Sequence, residues 1–253
     1  MTMTTVRTKS LQTKSISTIK YYKLDAIAPP EEDYLRHTEG RMLQLNRHHI
    51  ISQSYVLPIP YLCQIYHLLH LKHLESVHNF SLNGLKIGSI GQLEPTATGG
   101  SLKFETTLNP SLNVLKIWRR PVVEVELTLH TPYTIELSIP VYNGRNMTIV
   151  FNILPLGDNA HKIFIDIYSA IVFPKPVLQI LLHFASYLTL FEDMSYLRKL
   201  ADRNLSDRFD KTTVSNHKTM QLLKRFVELY GCNLDRSKSV QTTDLGLLAN
   251  TCC

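Results

Sequence analysis

The clearest pattern in the chain is the alternation of apolar and polar residues in its middle. From residue 123 to 129 and from 135 to 139, every second position is Val, Leu or Ile, and the positions between them are Glu, Thr or Ser. Because successive side chains of a β-strand point to opposite faces, this period of two predicts half-buried strands. One face of the first segment carries Val123, Val125, Leu127 and Leu129, and the other carries Glu124, Glu126, Thr128 and His130.

Several other segments have strand character and are separated by the Gly, Pro, Asn and Asp residues that favour turns. Strands that follow one another through short turns pair antiparallel, and a sheet with one apolar face needs covering on that face. The sequence therefore predicts an antiparallel sheet with helices on a single side. The predicted strands are residues 49–57, 84–93, 101–108, 112–118, 122–130, 133–140, 147–154 and 161–171.

Helical spacing of apolar residues appears before and after the predicted sheet. Residues 33–45 are weakly helical, and residues 61–77 predict a helix because they contain neither Gly nor Pro. Residues 176–203 predict a long helix, and residues 215–230 a second one that ends at Gly231. The chain thus reads as strand, helix, a series of strands, and then long helices.

This order of elements predicts an α+β fold, in which a curved antiparallel sheet is wrapped around a long C-terminal helix. A cavity between sheet and helix would suit a hydrophobic small molecule. The predicted domain covers residues 48–231. It is preceded by a disordered basic tail at residues 1–22 and an N-terminal extension at 23–47, and followed by a loose C-terminal tail at 232–253.

The charge distribution does not favour nucleic-acid binding. Hydrophobic residues make up 44% and charged residues 19% of the chain, which is ordinary globular composition. The net charge is +6, but Arg7, Lys9, Lys14 and Lys20 account for four of these charges in a segment without acidic residues. The remaining excess is scattered and forms no basic stripe interleaved with aromatic residues.

The cysteines and apolar runs bear on the cellular compartment. A secretory signal is not evident near the start, so we expect a reducing, cytoplasmic compartment, or an organelle stroma or matrix if residues 1–22 are a transit peptide. We expect no membrane span, because no uncharged apolar run reaches ~18 residues. The ending Cys252-Cys253 resembles a double-cysteine prenylation signal, but the phosphate-binding loop of the small GTPases that carry it is missing.

Four of the eleven histidines fall within twelve residues. His67, His70 and His73 are three residues apart, so neighbouring side chains can meet on a helix. His73 and His78 are five apart, which is about 140° around an ideal helix. These two can bind one metal ion only if the helix breaks between them. The segment His73-Leu74-Glu75-Ser76-Val77-His78 is therefore the first candidate for chemistry.

The arrangement His73-x4-His78, preceded by an apolar helix and followed by a strand-rich segment, resembles the iron site of the Rieske-type non-haem oxygenases. In the catalytic domain of that family, an H-x4-H pair joins one aspartate on the long C-terminal helix, and the domain has the helix-grip (START-like) architecture of the SRPBCC superfamily. Phe191-Glu192-Asp193-Met194 matches that aspartate in place and character. The resemblance implies Fe(II) ligands at His73, His78 and Asp193, with His67, His70 and Glu192 as supporting or alternative groups.

The chemistry of such a site explains its residue types. Two neutral imidazoles and one carboxylate on Fe(II) leave positions open for dioxygen and a substrate. Each imidazole needs an acceptor for its second nitrogen, which fixes its tautomer. The resemblance, which covers residues 48–231 in outline, implies oxygen-dependent oxidation of an aromatic or other hydrophobic molecule.

The sequence departs from the family in its electron route. It contains none of the C-x-H and C-x-x-H pairs that hold a Rieske cluster, so no such cluster is expected in this chain. Electrons would come from a separate ferredoxin-like partner or a reducing co-substrate. The family usually has an aspartate three residues before the first iron histidine, and here that position is His70. His67 stands where an amide or acidic residue is common.

Two other functions fit the same fold. A START-like carrier or sensor would hold a hydrophobic ligand without redox chemistry. A cyclase-like enzyme would use polar groups such as His130 and Glu126, although the alternation places both on the solvent face. The sequence assigns no catalytic residue beyond the metal ligands, and a homo-oligomer is compatible with it.

Overall fold

The computed structural model describes residues 29–77, 85–107, 121–171, 173–202 and 217–239, without the side chains of residues 29–35, 143 and 232–239. The predicted strand 112–118, the tail 1–22 and His78 lie outside these ranges. The helices are α1 (Pro29–Leu45), α2 (Tyr61–Leu69), α3 (His73–Ser76), α4 (Lys175–Ala201) and α5 (Gln221–Ser239). The strands are β1 (His49–Leu57), β2 (Lys86–Ile90), β3 (Glu94–Thr96), β4 (Gly99–Thr107), β5 (Val122–Thr131), β6 (Thr134–Val141), β7 (Arg145–Pro155) and β8 (His161–Ser169).

The strands form one antiparallel sheet in the order β1-β8-β7-β6-β5-β4-β2, with β3 also paired to β4. Strands β4 to β8 follow one another as neighbours, while β1 joins at the far edge beside β8. The sheet is open, and together with the long helix α4 it gives the α+β fold that the sequence predicts.

The inner face of the sheet carries the hydrophobic core. In β5 the alternation is confirmed, since Val125, Leu127 and Leu129 are buried while Glu124 is exposed. Helices α2, α4 and α5 add their apolar faces to the same core: α4 packs on β1 and α2, and α5 packs on β4. The largest side chains that are almost fully buried include Phe104, Leu129, Ile135, Ile153 and Phe226.

The outer face of the sheet is also covered at its centre, which the alternation did not predict. Helix α1 lies there and contacts β5 and β6 through polar groups. The Thr38 hydroxyl is 2.6 Å from that of Thr134, and Arg41 donates two hydrogen bonds of 2.7 and 2.5 Å to the Glu136 carboxylate. The polar face of a half-buried strand is therefore an anchor for α1 rather than a fully solvated surface.

Helix α5 is held to the edge of the sheet by hydrogen bonds to backbone carbonyls. Arg225 donates to the carbonyls of Gly99 and Thr96, and the Tyr230 hydroxyl donates to that of Thr98 at 2.6 Å. The prediction that this helix ends at Gly231 is wrong, because α5 continues to Ser239. Glycine lowers helix stability by ~1 kcal/mol but does not terminate a helix unless it takes a positive φ.

Within the described residues, no helix is both long and apolar enough to cross a membrane.

Candidate metal centre

Three buried side chains, each from a different helix, lie close together. His67 lies in the last turn of α2, His73 begins α3, and Asp193 is on α4. Each offers one ligand atom, and these atoms all lie within 4.8 Å of one another. The rings of His67 and His73 have centroids 3.9 Å apart, and His67 Nε2 is 2.9 Å from Asp193 Oδ1. Two imidazoles and one carboxylate thus form a single buried cluster.

A break between α2 and α3 brings the two imidazoles together. Residues six apart on a continuous helix differ by about 240°, so His67 and His73 would face different sides. The structure instead ends α2 at Leu69, and His70 takes an extended conformation (φ −93°, ψ 90°). The Leu71 amide then donates to the Thr219 carbonyl at 3.3 Å, beside α5. The predicted single helix over 61–77 is therefore two helices, and the turn between them shapes the site.

The His73 ring is fixed by a backbone acceptor. Its Nδ1 lies 2.7 Å from the His70 carbonyl oxygen, to which it donates a hydrogen bond. Since a neutral imidazole carries one proton, this bond leaves Nε2 unprotonated and able to act as an acceptor or a metal ligand. Metal-binding histidines in proteins are usually held in this way by an acceptor on the second nitrogen.

The His67 ring lies between a carboxylate and an amide. Its Nε2 donates to Asp193, while its Nδ1 is 3.5 Å from the Gln64 side-chain nitrogen. The Gln64 side-chain oxygen is buried and has no hydrogen-bond partner among the described residues. Rotating the amide by 180° would place that oxygen against Nδ1, where it could accept a hydrogen bond from a protonated Nδ1 of His67. Nε2 of the ring would then be unprotonated and able to bind a metal ion, so the surroundings of His67 fit a ligand role.

The two acidic residues on α4 differ in burial. Asp193 is buried and belongs to the cluster, whereas the neighbouring Glu192 is half-buried. Adjacent residues on a helix point about 100° apart, so one carboxylate faces the core and the other turns away. The Asp193 carboxylate accepts a hydrogen bond of 2.9 Å from the His67 imidazole. This hydrogen bond offsets part of the cost of burying the negative charge.

The histidines singled out in the sequence divide among different surroundings. His67 and His73 join Asp193, and His78 lies outside the described residues. His70 caps α2, and its ring packs edge-on against Tyr66 at 5.3 Å rather than joining the cluster. Gln64 was not singled out, although its position three residues before His67 on a helix is one at which side chains meet.

His130 and Glu126, the polar groups considered for cyclase-like chemistry, are both half-buried on the face of β5 opposite to the core. His130 Nε2 is 2.8 Å from the Glu136 carboxylate, which Arg41 also binds. Burial alone would raise the pKa of Glu136, but the hydrogen bonds from Arg41 and His130 outweigh it and lower the pKa to about 2. An acid this strong stays ionised at neutral pH, so it anchors α1 and is unsuited to general acid–base chemistry.

Comparisons with known proteins bear on the fold. No family model and no curated protein matches the sequence. Among solved structures, dicamba monooxygenase bound to 3,6-dichlorosalicylic acid aligns with a TM-score of 0.56 and 10% identity, over 76% of this chain and 59% of that one. NdmA of Pseudomonas putida CBB5 with caffeine aligns with a TM-score of 0.51 and 13% identity, over 75% of this chain and 53% of that one. The chain thus spans little more than half the length of these proteins and shares their fold.

Proposed function

We propose that this chain is an oxygenase-like non-haem iron protein that oxidises a hydrophobic or aromatic small molecule with externally supplied electrons. His67, His73 and Asp193 would hold the Fe(II) ion. The observation that carries the proposal is the convergence of two imidazoles and one carboxylate within 4.8 Å in a buried place.

The donor set fits ferrous iron. Two histidines and one carboxylate on one side of the ion leave the other positions open, which is the arrangement of non-haem iron oxygenases. Bound Fe(II) would supply the redox chemistry with dioxygen, which no side chain of the cluster can perform. A structural zinc ion would favour a closed set of four ligands instead.

The surrounding groups set the protonation of the ligands. The His70 carbonyl accepts the hydrogen bond from Nδ1 of His73, so that Nε2 would be the nitrogen that binds the ion. On binding, His67 would lose its hydrogen bond to Asp193, and its one ring proton would shift from Nε2 to Nδ1 by exchange with solvent. After a 180° rotation of its amide, the Gln64 oxygen would accept a hydrogen bond from this Nδ1–H, so we assign Gln64 a positioning role.

The family resemblance names His78 in place of His67. The two assignments share His73 and Asp193 and differ in the other imidazole. His67 is favoured because its ring already lies 3.9 Å from that of His73 and hydrogen-bonds to Asp193. The position of His78 is not described, so its role stays a prediction of the sequence.

The structural neighbours support the substrate class. They were solved with 3,6-dichlorosalicylic acid, dicamba or caffeine, all of which are flat ring compounds. We infer a substrate of similar chemistry for this chain. Because the sequence contains no C-x-H and C-x-x-H pairs, the electrons would come from a ferredoxin-like partner or a reducing co-substrate.

The test is the iron content of the full chain, purified without oxygen and loaded with Fe(II). We expect about one iron per chain, and loss of that iron in His73→Ala and Asp193→Ala. Glu192→Gln is the matched control, since it changes the neighbouring carboxylate outside the cluster and should keep the iron. A wild-type chain that takes up no iron, yet still binds apolar dyes, would refute the proposal and favour a non-catalytic carrier.

A further inference from the structure

Helix α4 presents a row of large apolar side chains to solvent on the side away from the core. The row follows the chain at intervals of three and four residues and extends for about 21 Å at the helical rise of 1.5 Å per residue. We call it the α4 stripe. Its members and their exposed fractions are Val177 (46%), Ile180 (69%), Phe184 (64%), Tyr187 (58%) and Phe191 (66%).

The composition of α4 is unusual for a helix at a protein surface. A surface helix normally opposes its apolar face with a charged or polar one. Residues 176–191 contain no Asp, Glu, Lys or Arg, although the opposite side of this segment is already buried through Leu178, Leu182 and Leu190. The helix is therefore apolar on two sides, and the core covers only one of them.

The spacing of the stripe is that of a two-helix seam. Val177, Phe184 and Phe191 are seven residues apart, and Ile180 and Tyr187 form the second row of the same repeat. These are the a and d positions at which paired helices interlock. A stripe of this form matches a second helix better than a small ligand, which binds in a concave site.

We propose that the α4 stripe is a dimer interface, in which α4 of one protomer packs antiparallel against α4 of a second copy. A two-fold axis through Phe184 places Val177 opposite the partner's Phe191 and brings Ile180 within one residue of the partner's Tyr187, so the surface complements itself. In a parallel pair, the exposed Arg198, seven residues after Phe191, would face Arg198 of the other protomer. The antiparallel pair avoids that repulsion.

The exposed area of the stripe reaches the minimum that a specific interface needs. Three aromatic side chains of ~200 Å² each, about 60% exposed, would bury roughly 370 Å² per protomer. Ile180 and Val177 add roughly 100 Å², at about 100 Å² for a fully buried aliphatic side chain. Two protomers together would bury about 1,000 Å², which is the lower bound for a specific interface before any flanking contact is counted. The inference stands independently of the proposed iron site.

The first test is the mass of the full chain in solution, by light scattering or sedimentation at micromolar concentration. We expect a dimer with twice the mass of one chain, which is 29.0 kDa. Phe184→Lys places two lysines together at the axis and should weaken the dimer by about 30-fold or more, as loss of a central hot spot does. Val56→Lys is the control, since Val56 is 61% exposed on β1 and outside the stripe.

Both variants should keep the wild-type circular dichroism spectrum, because neither side chain belongs to the core. A monomeric wild type, or a dimer that Phe184→Lys leaves unchanged, would overturn the proposal. A monomer that sediments with phosphatidylcholine vesicles would also overturn it and would assign the stripe to a membrane surface.

The second test fixes the orientation with cysteine cross-links, in a chain whose Cys232, Cys252 and Cys253 are replaced by serine. Phe184→Cys should form a disulfide with its own copy. Val177→Cys should cross-link only when mixed with Phe191→Cys. Self-cross-linking of Val177→Cys would indicate a parallel pair and contradict the antiparallel interface.

Discussion

Replacing Glu136 by Gln removes the charge that anchors α1 to the outer face of the sheet. The carboxylate has only 6% of its side-chain surface exposed and accepts hydrogen bonds from Arg41 at 2.7 and 2.5 Å and from His130 at 2.8 Å. Glutamine keeps the shape of the side chain, but it offers one acceptor oxygen and no charge. The variant therefore tests the electrostatic part of the anchor without creating a cavity.

The expected loss follows from the pKa of Glu136, which these contacts lower from 4.5 to about 2. A difference of about 2.5 pKa units corresponds to ~3 kcal/mol between the folded and unfolded states. Because the folded-state pKa is the lower one, this stabilisation is fully present above pH 4.5. It is lost as the pH falls from 4.5 towards 2.

The assay is urea unfolding of the wild type and of Glu136→Gln at pH 7 and pH 3. We expect a difference in unfolding free energy of about 2–3 kcal/mol at pH 7 that shrinks by half or more at pH 3. Glu124→Gln, on the exposed part of β5, should stay within ~0.5 kcal/mol of the wild type. A Glu136→Gln protein as stable as the wild type at pH 7, or an equal difference at both pH values, would refute the reasoning.

Two glycines and one cysteine give further predictions. Gly99→Ala should lower the unfolding free energy by at least ~3 kcal/mol, because the added Cβ would lie 1.9 Å from the Leu129 carbonyl oxygen. Gly40→Ala, in open space on α1, should instead raise it by ~0.5–1 kcal/mol, and urea unfolding of both variants checks the opposite signs. Cys63 is fully buried, and burial raises the pKa of its thiol to about 11. Alkylation at pH 8, followed by mass spectrometry, should therefore label Cys63 only in urea, and rapid labelling of the folded chain would contradict this.

The sheet could be predicted from the sequence because its signal is local. The two-residue period identifies which face of β5 is buried, and β1 begins and ends at the predicted residues 49–57. The covering of the outer face could not be predicted in this way. It depends on Arg41 reaching Glu136, a contact between residues 95 positions apart in the chain.

The candidate metal site was only partly accessible from the sequence, for a similar reason. The resemblance singles out His73 and Asp193, and both lie in the buried cluster. The break that brings in His67 contains neither Gly nor Pro, and the Leu71 amide there donates a hydrogen bond to the carbonyl of the distant Thr219. From periodicity alone, the helix is therefore predicted to continue to residue 77. His67 then remains one of the alternative metal ligands.

The measurement that most directly tests the central claim is the Fe(II) affinity of the wild type beside His67→Ala and His78→Ala, determined anaerobically on the full chain. If His67, His73 and Asp193 hold the ion, His67→Ala should weaken binding by more than the 10–100-fold typical of losing an outer-shell partner. His78→Ala should stay within about threefold of the wild type, well below that range. Strong loss in His78→Ala with none in His67→Ala, or a wild type without stoichiometric iron, would contradict the assignment.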